Sequence, residues 1–179
     1  MKKLHLILPL ALILSFMVGC QDREAMAELE AMKVEAALEE QNKELIREMA
    51  KLLDAEGISS LSKYVSSDCV VHYPGGMEVH GLEAIIEGSS QFNAAFPDMT
   101  HTIEDIIAEG DKVAIRYTVK MTHTGEFQGI PPTGNQVTGS IMEVCRIQEG
   151  KIAEWWQEAD YLSLFMQLGM ELKLKESEK

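Results

Sequence analysis

Four long strand-like runs, set close together in the second half of the chain, constrain its fold more than any other feature. They are Thr100–Ala108, Lys112–Thr124, Gln136–Gln148 and Lys151–Ala159. Gly110-Asp111 and Glu149-Gly150 stand between neighbouring runs as tight hairpin turns. The longer connection, Gly129–Asn135, contains Pro131 and Pro132, which have no N–H to give a ladder, and it reads as a loop. A meander of antiparallel strands follows from this order.

Helical periods flank the meander. From Gln41, the residues Leu45, Met49, Leu52 and Leu53 recur at helical spacing until Gly57. Ser59–Val65 fits a second, short helix, and Cys69–Tyr73 reads as a strand closed by Pro74-Gly75-Gly76. Gly81 then opens a helix carrying Leu82, Ile85, Ile86, Phe92 and Phe96, which stops before Pro97. Tyr161–Leu168 returns to helical spacing and ends at Gly169. Three helices, a strand meander and a closing helix make an α+β order. A sheet curved over helices encloses a pocket, and any chemistry is expected there.

The first residues have a different purpose. Lys2 and Lys3 precede an apolar run, Leu4–Val18, and Met17-Val18-Gly19-Cys20 resembles a bacterial lipobox, departing from it at Met17. Residues 1–19 are therefore expected to be a lipoprotein signal peptide, with Cys20 lipidated. Residues 20–40 form an acidic linker, helical or disordered; 41–170 form the domain and 171–179 a charged tail. The formal net charge is −13, and loss of Lys2 and Lys3 moves it to −15. Such a balance argues against a nucleic-acid partner. It also repels anionic headgroups, so membrane attachment is expected through the lipid anchor alone. The expected location is extracytoplasmic, on an outer membrane or the outer face of the cell membrane. Cys69 and Cys145 lie in strand-like apolar contexts, which favour buried free thiols over a disulfide.

Standard catalytic and phosphate-binding motifs are absent. His72, His80, His101 and His123 are scattered, none at i,i+4 spacing, so no metal site is expected. Alternation places Val113, Ile115, Tyr117, Val119, Met121 and His123 on one strand face, and His101, Ile103, Asp105 and Ile107 on another. In the last run, Ile152, Glu154 and Trp156 alternate with Ala153, Trp155 and Gln157. Asp160 follows where strand gives way to helix. Beside apolar surface its carboxyl suits proton transfer; as the residue before Tyr161 it suits a helix N-cap, and the two uses compete.

Phe96–Val137, with THTGEFQGIPPTG at its centre, followed by RIQEGKIAEWWQEAD and FMQLG, resembles the SnoaL-like polyketide cyclase or ester cyclase family. The resemblance covers about residues 41–170. It implies the nuclear transport factor 2-like (cystatin-like) fold: a conical, curved antiparallel sheet packed on three N-terminal helices, commonly as a homodimer. It also implies ring closure by an intramolecular aldol reaction with no cofactor and no metal. Asp160 matches the acid–base position of the family's E-x-W-x-x-x-D pattern, preceded here by Glu154 and Trp156. On that reading, a small, partly apolar carbonyl compound binds in the pocket. His101 or His123 is the hydrogen-bond partner of Asp160, and Tyr117 and Trp156 are walls. Two alternatives stay open: a non-catalytic binding or assembly module, and an isomerase or dehydratase using enolate chemistry.

Overall fold

The computed structural model describes the backbone of residues 7–173 and the side chains of residues 23–173. Two of the expectations above, the start of the signal segment (1–6) and the side chain of Cys20, lie outside the described residues, as does the end of the tail (174–179). By internal contacts the chain divides into two units, Met1–Leu38 and Glu39–Lys179. A helix, α1, runs Ile7–Glu56, so residues 20–40 are helical. In the first unit Met26, Met32 and Val34 are exposed, and Lys33 pairs with Glu30 at 2.8 Å.

The second unit is an α+β fold. After α1 come a 3-10 turn (Ile58–Lys63), β1 (Val65–Tyr73), β2 (Met77–His80) and α2 (Leu82–Ala95). Then follow β3 (Thr100–Glu109), β4 (Lys112–Thr122), β5 (Gln136–Gln148), β6 (Lys151–Ala159) and α3 (Tyr161–Gln167). The six strands form one curved sheet in the order β2-β1-β6-β5-β4-β3. Every pair is antiparallel except β1 and β6, which run parallel. Two expectations change here. The second helix is a six-residue 3-10 turn, and Val65 instead opens β1. The sheet also gains β2, a short, mostly exposed edge strand without an alternating pattern.

The reasons for the element ends are local. Gly57, at φ 79°, stops α1, and its N–H closes on Leu53 O at 2.9 Å. At the far end of α2, Thr124 and Gly125 both donate their N–H groups to Ala95 O, at 2.9 and 3.1 Å. A Cβ at Gly125 would lie 2.6 Å from Ala94 O, so only glycine lets this loop approach the helix.

One apolar cluster joins the C-terminal part of α1 to the inner face of the sheet, through Ile46, Met49, Val71, Ile115, Tyr117 and Cys145. A second, smaller cluster gathers Phe96, Met121, Phe127, Val137, Leu164 and Leu168 around the ends of α2 and α3. Cys69 and Cys145 are buried free thiols. Of the sheet's register irregularities, two shift the alternation of strands that line the site. Ile103 faces Tyr117 but Asp105 faces Arg116, which makes Glu104 the extra residue of β3. Arg146 faces Glu154 but Ile147 faces Ile152, which makes Ala153 the extra residue of β6.

Candidate functional site

Between α2, α3 and the inner face of the sheet lies a cavity of about 600 Å³. Its walls are largely apolar, and a few polar groups converge on it from separate elements: Tyr73, His101, Glu143, Gln157 and Asp160. That composition fits a small-molecule site.

The polar group with the most altered chemistry is Glu143. In β5 the residues Val137, Gly139, Ile141, Glu143, Cys145 and Ile147 share the inner face, so alternation carries a carboxyl into an apolar row. Glu143 is 6% exposed, and Gln157 Nε2 donates to its Oε1 at 2.8 Å across the β5–β6 ladder. Burial pushes its pKa up to about 7, against the opposing influence of Gln157 and Trp155, which favour the charged form. The Trp155 N–H is buried and has no partner of hydrogen-bonding geometry among the described residues. A carboxyl that exchanges its proton near neutrality is equipped for proton transfer.

Sequence reasoning passed over Glu143, although the same alternation used for β4 points it inward. The expected site residues fall in five different settings. Asp160 is exposed at the cavity rim and caps α3, its Oδ1 accepting the Ser163 N–H at 2.9 Å. Of its two competing uses, the cap is the one formed. His101 lines the cavity and is paired with Asp54. His123 is fully buried against Phe96, with its Nδ1 accepting from Thr133 N at 3.2 Å. It lies outside the cavity lining and makes no contact with Asp160, so its role is to tie down the 123–135 loop.

Tyr117 and Trp156 are corrected as walls. Tyr117 sits in the core beside His101, edge to ring at 5.7 Å, and only 2% exposed; burial and the nearby Glu143 raise its pKa far above the usual phenol value. Trp156 points away from the cavity, and its neighbour Trp155 takes the inner position. The bulge at Ala153 is the cause. Ile152 faces inward, and the extra residue makes Trp155 rather than Trp156 the next inward side chain. On the outer face Trp156 stacks on His72, with centroids 5.1 Å apart and 9° between planes. His72 there bridges Glu78 and Glu154, at 3.2 and 3.0 Å, and its hydrogen bond, with help from Arg146, holds Glu154 below the usual carboxylate range.

Other chemistries find less support. Burial pushes the Cys69 thiol up to about 11 and raises that of Cys145 as well, which disfavours thiolate nucleophiles. Among the described residues no group of three His, Cys, Asp or Glu side chains is placed to hold a metal ion.

A family model described as SnoaL-like polyketide cyclase matches residues 43–168. The chain is similar to the aklanonic acid methyl ester cyclase DauD of Streptomyces sp. (strain C5), at 31% identity over 111 residues, or 61% of this chain. It spans just under two thirds, 66%, of that relative's length. Among solved structures it is similar to AclR from Streptomyces galilaeus, a candidate hydroxylase. The TM-score is 0.69 and the identity 31%, covering 77% of this chain and 87% of that one. It is also similar to IdmH from Streptomyces antibioticus, a candidate polyketide cyclase, with a TM-score of 0.65 and 30% identity, covering 73% and 99% of the two chains.

Proposed function

The chain belongs to the SnoaL-like polyketide cyclase family, and from that membership we propose that its cavity binds a small, partly apolar carbonyl compound and closes a ring in it, with Glu143 as the proton-transfer group. The observation that carries this reading is the Glu143 carboxyl itself, buried on the cavity wall with its pKa near 7. At neutral pH both of its protonation states are populated, so it can take a proton and give it back.

The steps need no co-reactant. The Glu143 carboxylate removes a proton from carbon α to a ligand carbonyl, and the electron pair moves into that carbonyl as an enolate. The α-carbon then attacks a second carbonyl of the same molecule. A carbon–carbon bond forms, the attacked π bond becomes an alkoxide, and the proton on Glu143 passes to that oxygen. The low-polarity walls strengthen the interaction of that proton with the developing negative oxygen. Asp160, the position favoured by the sequence pattern, serves at the rim by seating α3.

The first test uses aklanonic acid methyl ester, the compound in the name of the relative DauD. Glu143→Gln is expected to lower the turnover of this ester by about 10²–10⁴-fold while ligand still binds. Turnover equal to wild type would remove Glu143 from the mechanism. A non-catalytic binding module is the second reading, favoured by the engagement of Asp160 as a cap. It requires saturable binding of the ester with no turnover in wild type and variant alike.

In keeping with the N-terminal pattern, we further propose that the protein is exported and held on a bacterial membrane through lipid on Cys20. Dimerisation, common to the family it resembles, belongs to the same proposal.

A further inference from the structure

The cavity holds a second polar group, distant from Glu143 and built differently. Asp54, near the end of α1, grips His101 at two points: Oδ2 accepts the His101 backbone N–H at 3.0 Å, and Oδ1 meets Nδ1 at 2.6 Å. The backbone contact fixes the carboxylate relative to the ring, and the short second contact holds the proton on Nδ1. His101 lines the cavity, and with Nδ1 engaged the nitrogen left for a ligand is Nε2. Among the described residues that nitrogen makes no hydrogen bond. The His101 side chain is only 10% exposed, and Tyr117 holds the ring from its edge. This is an oriented imidazole facing a largely apolar space.

Strand register sets its distance from Glu143. His101 lies opposite Val119, and Val119 opposite Gly139, while Glu143 is four residues further along β5. Two ladder widths and four residues of rise place the two Cα atoms on the order of 15 Å apart. Between them the sheet presents the apolar side chains of Val119 and Ile141 to the cavity.

We infer that the Asp54-held His101 is a second ligand-contacting group of this cavity, which takes an oxygen at the far end of a rod-shaped, otherwise apolar ligand whose near end meets Glu143. Asp54 is its positioning residue. The inference rests on the reading of this cavity as the ligand site, and it adds a requirement that the ligand carry oxygen at both ends.

Two rigid phenols test it by equilibrium binding, without turnover: 4,4'-dihydroxybiphenyl, with oxygen at both ends, and 4-phenylphenol, with oxygen at one. The diol is expected to bind the wild-type protein about tenfold more tightly, the worth of one buried hydrogen bond. In ¹⁵N NMR of wild type, saturation with the diol moves the His101 Nε2 resonance and saturation with 4-phenylphenol leaves it in place. His101→Phe removes the preference without weakening 4-phenylphenol. Asp54→Asn keeps an acceptor for Nδ1–H but loses the charge, and it weakens the diol alone. Equal binding of the two phenols, an unmoved Nε2 resonance with the diol bound, or a preference that survives in His101→Phe would each overturn the inference. Binding of 4-phenylphenol with no preference for the diol removes only the His101 contact. Failure of both phenols to bind removes the cavity reading as well.

Discussion

Glu143 and Gln157 face each other across β5 and β6, and the Gln157 amide donates to the Glu143 carboxylate at 2.8 Å. This hydrogen bond favours the charged carboxylate, but burial outweighs it and leaves the group titrating near 7 rather than at its ordinary 4.5. Stability then depends on pH in a defined sense. Between the two values the unfolded chain releases the proton that the folded chain retains, so the unfolded state binds fewer protons and stability falls as pH rises. The contribution of Glu143 is fully present below about 4.5 and lost as pH passes through about 7. The whole change is about 3 kcal/mol, from 1.36 kcal/mol per pKa unit. Denaturant unfolding of wild type and Glu143→Gln across this window is expected to show wild-type stability falling with pH relative to the variant by this amount. Parallel stability curves would contradict it.

Asp160 gives the complementary case. Because its side chain caps α3, Asp160→Ala is expected to cost about 1 kcal/mol, whereas Asp160→Asn, which keeps a capping oxygen, costs much less. Both variants should retain turnover within a few-fold once folded. Loss of turnover in Asp160→Asn, with Glu143→Gln still active, would transfer the proton-transfer role to Asp160.

Gly125 is where the loop after β4 meets α2. Adding a Cβ brings it 2.6 Å from Ala94 O and 2.9 Å from the Ala95 Cα, both backbone atoms with little freedom to yield. Gly125→Ala should therefore destabilise by about 2 kcal/mol, read as a lower denaturant midpoint with an unchanged m value. An unaltered midpoint would mean that the loop can lift from the helix at no cost.

The N-terminal proposal has its own readout. Expressed from its full chain in a bacterial host, the protein should incorporate radiolabelled palmitate and sediment with membranes. Cys20→Ala should do neither. A labelled, membrane-bound Cys20→Ala protein would refute lipidation at this cysteine.

The meander was legible because β4 and β5 are long, regular strands whose alternation is unbroken from one end to the other. Turn chemistry at Gly110-Asp111 and Glu149-Gly150 fixed their ends. Where an extra residue enters a strand, alternation misleads, and this accounts for Trp156 and for the row His101, Ile103, Asp105, Ile107. Beyond Glu104 the inward positions pass to Ile106 and Ala108, and Asp105 turns outward to pair with Arg116 at 2.8 Å. No local signal in the sequence marks either bulge. β2 escaped notice because an exposed edge strand has no apolar face to write into its sequence. Glu143 is a different kind of omission. Its inward direction was available from the alternation of β5, but charged residues are usually solvated, and that expectation stood against the pattern. Asp54 and His101, 47 residues apart, could be joined only by the fold.

The extra residue at Ala153 bears on how this cavity can change over evolutionary time. Removal of Ala153 would restore simple alternation to β6 and leave Ile152, Trp155 and Gln157 facing inward as before. The local bend of the strand would be lost, and with it part of the concavity that the sheet presents to its ligand. A single-codon deletion can thus reshape the container without replacing any side chain that lines it. Cavity shape and lining groups are in this respect separately heritable, and one scaffold can be refitted around cavities of different breadth while Glu143 stays in place.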